Sequence, residues 1–129
     1  MCTAKELFLE ERITIYLLIL KITPHLRGHD IFKNGVKKIV EDISKKHNVK
    51  NRLYNEIAEE NNMAVDLIDR AMRHSIDVSM KRNGISEFEK RVKVDFKNLK
   101  PTPRELLCTM AEKIIVEYNL YIAKKKMLF

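Results

Sequence analysis

Apolar residues recur at helical spacing along most of the chain, and the alternation of apolar and polar positions that marks a β-strand is nowhere sustained. Only three glycines and three prolines punctuate the sequence. Helices joined by short turns are therefore expected. With 129 residues, the chain has the length of a single domain, and we expect one all-α domain of about six helices over residues 1–129.

The first two helices differ in how clearly their ends are marked. Residues 4–20 predict a first helix, which ends before the Thr23-Pro24 step because a residue preceding proline disfavours helix. Asp30 is predicted to cap a second helix that fades in the polar stretch "KKHNVKN". The apolar face of the first helix either packs into the core of the domain or serves as a docking surface. The apolar repeats are Leu7, Ile13, Leu17 and Leu20 in the first helix, and Val36, Ile39, Val40 and Ile43 in the second.

A short helix followed by a longer one occupies the middle of the chain. The pattern predicts helices at about 52–61 and 64–82, with Gly84 as the glycine that closes the longer one. The following segment, residues 85–100, fits either a helical turn or an extended piece.

The last helix has the clearest start. Thr102 as the capping residue, Pro103 at the first position and Glu105 three residues after Thr102 form a capping box. The helix is predicted to continue to about Ala123. The tail at about 124–129 is predicted to fray.

The two central helices satisfy the position-specific demands of a helix-turn-helix, in which two helices cross closely. Ala58 supplies the small residue at the crossing, and Asn62 tolerates the positive φ that the turn requires. Met63, Ile68 and Ala71 are apolar where the second helix must face back. We therefore predict a helix-turn-helix at about 52–82 within a winged-helix-like trihelical core, although such spacing also arises by chance in helical proteins.

The second helix of this motif has two distinct faces when its residues are placed 100° apart. Leu67 lies near the middle of the polar face, where it is either an ordinary exposed leucine or a contact for a thymine methyl or a partner protein. The packed face comprises Val65, Ile68, Met72, Ile76 and Ser79; the outer face comprises Asp66, Asp69, Arg70, Arg73, His74, Asp77 and Lys81.

The charge balance favours a polyanionic partner. Lys and Arg number 25 against 18 Asp and Glu, for a formal net charge of +7. The longest apolar run, residues 13–20, is too short to span a bilayer, and acidic residues precede it where a signal peptide would be basic. Cys2 and Cys108 lie far apart without metal-ligand spacing. We expect a soluble protein of the reducing cytoplasm, with no membrane association.

Other chemistry is not indicated. His25 and His29 have the spacing of a metal pair, but Pro24 and Gly28 argue against a continuous helix there, and no further ligand completes a set. Cys108 lies among apolar residues of the last helix and is interpreted as a core residue. Catalytic triads, phosphate loops and dinucleotide fingerprints are missing. We expect no enzyme activity, no metal and no cofactor.

Four stretches together resemble one known family. They are "LEERITIYLLILKITPHLRGHDIFKNGV", "LYNEIAEENN", "IDRAMRHSIDV" and "KPTPRELLCTMAEKI". In sequence and order they resemble the C-terminal DNA-binding effector domain of the sporulation-initiation response regulator of endospore-forming bacteria, from about residue 9 to 118.

The resemblance implies an all-helical domain that places residues 64–82 in the major groove of a short DNA box, often as tandem copies. Bases are read in that family by an arginine, an acid and a second arginine. The acid corresponds to Asp69 and the second arginine to Arg70. The family's phosphate contacts correspond to Arg73 and His74, and Lys81, on the same face, is expected to join them.

The chain departs from the family where its first base-reading arginine would stand. Leu67 occupies that position, and Asp66 replaces the small polar residue before it, so both are expected at the bases. The chain also lacks room for the receiver domain of the full-length regulator. Two hypotheses follow: a sequence-specific DNA-binding transcription regulator related to sporulation control, or an interaction module that pairs with the full-length regulator or another protein. A homodimer is compatible with both.

Overall fold

Six α-helices make up most of the molecule. The computed structural model describes residues 3–97 and 99–128, and over these residues it contains helices and turns but no strand. The expected all-α fold of six helices is confirmed, and the trihelical core carries no β wing in the described ranges. The helices are α1 Ala4–Ile19, α2 Arg27–Glu41, α3 Tyr54–Asn61, α4 Val65–Lys81, α5 Gly84–Val92 and α6 Pro103–Leu128; a 3₁₀ turn, Ile43–His47, and a π-type turn, Val49–Leu53, connect α2 to α3.

Helix α2 lies at the centre of the fold and packs most extensively against α4 and α6. Burial of apolar side chains from all six helices supplies the main stabilising free energy, at about 25 cal/mol per Å². Helix α1 contributes its inner face to this core. Of the two alternatives for that face, packing into the core is therefore the one that the structure shows. The fully buried side chains include Ile13, Leu17, Phe32, Val36, Ile39, Ile57, Ile68, Met72, Leu107 and Ile114.

The start of α2 differs from the prediction. Asp30 does not cap it, because the helix already begins at Arg27 with Leu26 at the N-cap, and no side chain caps it. Gly28 lies inside this helix, and a Cβ there would stand 2.8 Å from the carbonyl oxygen of Ala71 in α4. The glycine is thus explained by the close crossing of α2 and α4 and not by a break in the helix.

The junction after α4 also differs. Gly84 was expected as the closing glycine, but Asn83 adopts the left-handed conformation, with a φ of 60°, and Gly84 begins α5. A Cβ on Gly84 would stand 1.9 Å from the carbonyl oxygen of Leu20. Glycine is needed at this position because the backbone at the end of α1 leaves no space for a side chain.

The end of α1 and the end of α4 are joined by hydrogen bonds. Ser79 Oγ donates to the carbonyl oxygen of Leu20 over 2.6 Å. Lys21 Nζ donates to the carbonyl oxygen of Arg82, and Arg82 donates back to that of Lys21. These contacts fix the far end of α4 against residues 20–21.

The ambiguous segment after Gly84 is helical in its first part. Helix α5 ends at Val92, and Lys93 closes it in the left-handed conformation. Phe96, in the following loop, stacks on Phe88 with ring centroids 6.4 Å apart. This stacking holds the loop that leads to α6 against the core.

Helix α6 is longer than predicted. Thr102 caps it as expected, accepting a hydrogen bond from the amide of Glu105 over 3.1 Å. The helix does not end near Ala123, and the tail predicted to fray is helical to Leu128, while Phe129 lies outside the described residues. Neither glycine nor proline interrupts this stretch, and its alanine, leucine and lysine residues favour helix.

Gly84→Ala is expected to destabilise the protein by about 2–4 kcal/mol, because the new Cβ meets backbone that cannot move locally. Gly35→Ala is the matched control, since the closest contact of its Cβ would be the Cδ2 methyl of Leu107, at 2.7 Å, the end of a side chain and not backbone. Urea denaturation followed by circular dichroism measures both. Equal losses of unfolding free energy in the two variants would contradict the assigned role of Gly84.

The ion pair of Glu56, in α3, is expected to make the stability of the protein depend on pH. Its carboxylate lies 2.8 Å from Lys45 Nζ, and this hydrogen bond holds the pKa of Glu56 below its ordinary value of 4.5. A carboxyl with a depressed folded pKa stabilises the native state above its unfolded pKa, and that stabilisation is lost as the pH falls through the folded pKa. Glu56→Gln is therefore expected to lower the free energy of unfolding near neutral pH, with the loss shrinking below pH 4.5.

Glu59→Gln is the control for this variant, because Glu59 is exposed on the same helix and makes no ion pair with any residue in the described ranges. A pH series of urea denaturation curves compares the two. A loss in Glu56→Gln that stays constant from neutral to acid pH would refute the ion-pair explanation.

Candidate nucleic-acid interface

The turn between α3 and α4 has the geometry that the sequence predicted. Asn62 adopts the left-handed conformation with a φ of 53°. The amide of Met63 donates to the carbonyl oxygen of Ala58 over 3.0 Å. Ala58 itself is buried, as the crossing of the two helices requires. These features confirm that residues 54–81 form a helix-turn-helix.

The inner face of α4 is as predicted, with one addition. Ile68, Met72 and Ile76 are buried, and Ser79 is buried with its hydroxyl bonded to Leu20. Ser75 is also fully buried, although the sequence analysis did not place it on this face. Its hydroxyl donates to the carbonyl oxygen of Ala71. Ser75 lies three residues after Met72 and four before Ser79, and this helical spacing is the signal that could have placed it on the inner face.

The outer face of α4 is open to solvent. Leu67, which is 36% exposed, lies three residues before Arg70 on this face. Asp66 lies in the first turn, where a negative charge interacts favourably with the positive end of the helix dipole. That charge matters because Ala64 at the N-cap offers no capping side chain. The predicted site residues Asp66, Leu67, Arg70, Arg73, His74 and Lys81 are exposed, and Asp69 is partly buried.

Asp69 is engaged on both of its oxygens. Oδ1 accepts a hydrogen bond from the hydroxyl of Tyr54 over 3.2 Å, and Oδ2 accepts one from Nε of Arg73 over 2.7 Å. Burial and the adjacent carboxylate of Asp69 raise the pKa of Tyr54 above its ordinary value. The same carboxylate raises the pKa of Arg73. Asp69 thus ties α4 to α3 and orients the guanidinium of Arg73.

Arg70 stands apart from this network. It is exposed, and no carboxylate of the described ranges lies within ion-pair distance of its guanidinium. Of the three outer acids, Asp69 and Asp77 are paired with Arg73 and Lys100 respectively, and Asp66 makes no ion pair in the described ranges. The guanidinium of Arg70 is therefore not engaged by an acid of this face.

Lys100 was missed by the sequence analysis. It lies in the loop before α6, and its Nζ is 2.7 Å from Oδ1 of Asp77. That hydrogen bond lowers the pKa of Asp77. Because Lys100 is distant in sequence from α4, only the fold brings its charge to the outer face.

Arg104 was missed as well. A cavity of about 320 Å³ is lined by the Asp69–Arg73 pair together with Tyr54, His47 and Arg104. Arg104 lies in the first turn of α6, just after the cap formed by Thr102. Basic groups therefore extend from the outer face of α4 to the start of α6.

The other candidate residues do not form a second site. His25 precedes α2 and His29 lies within it, so the two do not share a helix face. In the described ranges no group of three or more metal-ligating side chains is found. Cys108 packs against the core, and burial raises the pKa of its thiol. No helix in those ranges is long and apolar enough to cross a membrane.

Comparison with known families gives a match over most of the chain. The family model described as "Sporulation initiation factor Spo0A C terminal" matches residues 13–114. The match includes all of the helix-turn-helix and the first part of α6. It leaves out the first turns of α1 and the part of α6 beyond residue 114. The chain belongs to the Spo0A C-terminal family, a family of all-helical DNA-binding regulator domains and not of enzymes.

Proposed function

We propose that this chain is a sequence-specific DNA-binding transcription regulator, related to sporulation control and acting in the cytoplasm, that inserts α4 into the major groove. The exposed guanidinium of Arg70, on the outer face of a helix-turn-helix, is the observation that carries the proposal. An α-helix fits the major groove, whose width is about 12 Å. A formal net charge of +7 supplies attraction to the phosphate backbone.

Arg70 is the proposed principal base contact. A guanidinium binds O6 and N7 of guanine through two parallel hydrogen bonds, which no other base pair accepts in the same way. Leu67 and Asp66, near the start of the helix, lie where base edges approach. Leucine suits a thymine methyl, and a carboxylate suits the amino group of cytosine.

Asp69 is assigned a different role. Both of its oxygens accept hydrogen bonds from protein groups, so a contact with a base has to compete with Tyr54 or Arg73. We assign it mainly to positioning Arg73. The family correspondence also gives Asp69 a base contact, and that contact would require breaking one of these two hydrogen bonds.

Phosphate contacts are assigned to the cations around Arg70. Arg73 and His74 follow it on the outer face of α4, and Lys81 extends that face towards the end of the helix. Lys100 and Arg104 widen the basic surface beyond α4. Contacts to phosphates fix the position of a protein on DNA without reading sequence.

Arg70→Ala and Arg73→Ala are expected to weaken DNA binding in different ways. Arg70→Ala should cost about 1–3 kcal/mol on the preferred box and little on a scrambled duplex, because it removes a base contact. Arg73→Ala should weaken binding to both duplexes. It should also reduce the slope of log affinity against log salt concentration by about the contribution of one phosphate contact. Fluorescence anisotropy over a salt series, with a box selected from a random pool, measures both effects.

Arg91→Ala is the matched control for these variants. Arg91 is exposed on α5, and its ion pair within residues 3–97 and 99–128 is with Glu87 of the same helix, at 3.5 Å. Arg91→Ala should leave the affinities for the box and for the scrambled duplex unchanged, apart from a small loss caused by the lower net positive charge. Equal losses for Arg70→Ala on the box and the scrambled duplex would contradict base reading by Arg70.

A second function is favoured by Leu67 and Asp66. An exposed apolar side chain and an exposed acid stand where the resemblance places a base-reading cation. Both changes weaken attraction to DNA at the start of α4. The alternative is an interaction module that keeps the fold and regulates by pairing with a full-length regulator of this family or another protein.

Leu67→Arg separates the two functions. If α4 enters the groove, the new guanidinium adds a cation at the DNA, and affinity for duplexes should rise by about tenfold or more. If Leu67 is a protein contact, the same change should abolish capture of a receiver-containing regulator in a pull-down. Leu67→Ala is the control, because it removes the apolar contact without adding charge. Unchanged DNA affinity and unchanged capture in Leu67→Arg would exclude both roles for this residue.

A further inference from the structure

The hydroxyl of Tyr54 has a fixed position in the fold. Tyr54 is the first residue of α3 and is only 3% exposed. A ring packed into a dense core keeps its orientation, so the hydroxyl cannot follow a partner that moves. Burial and the adjacent carboxylate of Asp69 raise the pKa of Tyr54. The hydroxyl therefore stays protonated, and able to donate a hydrogen bond, throughout the neutral pH range.

Asp69 lies at one edge of the outer face of α4. With residues placed about 100° apart, it is one step around the helix from Arg70. Its Oδ1 accepts the hydrogen bond from Tyr54 over 3.2 Å, and its Oδ2 accepts the one from Nε of Arg73 over 2.7 Å. The first of these bonds anchors the carboxylate to α3.

A released Asp69 would be well placed to read a base. Its Cα is about 3.8 Å from that of Arg70, close to the rise of about 3.4 Å from one base pair to the next. With α4 in the major groove, its side chain would reach the base pair next to the one that Arg70 reads. A carboxylate accepts a hydrogen bond from the N4 amino group of cytosine, whereas the N7 acceptor of adenine or guanine repels it.

We propose that Tyr54 determines specificity: its hydroxyl holds the carboxylate of Asp69 against α3 and so keeps it away from cytosine. Tyr54 touches no base and acts through Asp69, as a positioning residue. The wild-type protein then has no preference for cytosine at that base pair, and Arg70 reads the neighbouring one. This role rests on the proposed function, because it requires α4 to enter the major groove.

Arg73 alone would not keep Asp69 away from the bases. The side chain of Arg73 is 51% exposed and belongs to the same helix, so its guanidinium can move towards the DNA together with the carboxylate. Ion pairs between residues four apart on a helix surface are weak. The hydroxyl of Tyr54, by contrast, is held in the core. Loss of its single hydrogen bond should therefore release Asp69.

Tyr16 provides a matched control, because its surroundings have the same composition. It is 1% exposed, and its hydroxyl donates to the carboxylate of Glu117. Glu117 is also paired with Nε of an arginine, Arg12, at 2.7 Å, and its side chain is 32% exposed, as that of Asp69 is. These three residues lie on α1 and α6. Tyr16→Phe thus removes an equivalent hydrogen bond without affecting Asp69.

Selection of binding sites from a random DNA pool tests the proposal, followed by fluorescence anisotropy on single-base variants of the selected box. The base pair read by Arg70 is the one at which Arg70→Ala loses its preference. At the adjacent base pair, Tyr54→Phe should gain a preference for cytosine of about fivefold or more, the size of a modest base contact. Tyr16→Phe should select the same box as the wild-type protein.

Circular dichroism and thermal denaturation establish that each variant is folded before its DNA binding is interpreted. Phenylalanine keeps the buried ring of Tyr54, so the fold is expected to persist. A purely structural role of the hydroxyl would lower the melting temperature and weaken binding to all duplexes alike. It would not change which base is selected.

Asp69→Ala, alone and combined with Tyr54→Phe, identifies the group that reads the cytosine. The preference gained in Tyr54→Phe should disappear in the double variant, because the carboxylate is gone. Asp69→Ala alone should leave the preference at that base pair as it is in the wild-type protein. This double-mutant cycle measures the coupling between the two residues directly.

Three results would overturn the role assigned to Tyr54. They are an unchanged selected box in folded Tyr54→Phe, a gained preference that persists in the double variant, and a wild-type preference for cytosine that Asp69→Ala removes. A failure of the proposed function has a different signature. A wild-type protein that selects no box from the pool would contradict base reading by α4 altogether, and the role of Tyr54 with it.

Discussion

The crossing of α2 over α4 is the constraint on which the position of α4 depends. At Gly28 an added Cβ would stand 2.0 Å from Oγ of Ser75, so the two helices approach at a distance that only hydrogen allows. At so short a distance, α4 can pack against α2 in only one rotation about its own axis. Ile68 and Met72 then face the core, and Arg70 faces solvent.

The sequence predicted the helix-turn-helix well because its requirements are local. A small residue at Ala58 and a residue tolerant of positive φ at Asn62 are read directly from neighbouring positions. Gly28 and Gly84 were misread for the opposite reason. Both were taken as signals of helix ends, whereas each is required by the backbone or side chain of another helix, and that neighbour is distant in sequence.

The candidate site was predicted in part. Periodicity placed Arg70, Arg73 and His74 on the outer face, and the structure places them there. It could not show that Asp69 is held by Tyr54 and Arg73, because that depends on how α3 lies against α4. Nor could it bring Lys100 and Arg104 to the same surface, since the loop before α6 gave no clear pattern.

The two ends of α4 are secured by different parts of the chain. Its start depends on the adjacent turn, but its end is bound to residues 20–21, which lie 59 to 61 positions away. Closing so long a loop carries an entropic cost that the local turn does not have. The first half of α4 can therefore order early, with α3, while its last turns order only when α1 has docked. Amide hydrogen exchange along α4 should accordingly reflect two cooperative units, with the half that carries Arg70 joined to the turn and the terminal half joined to α1.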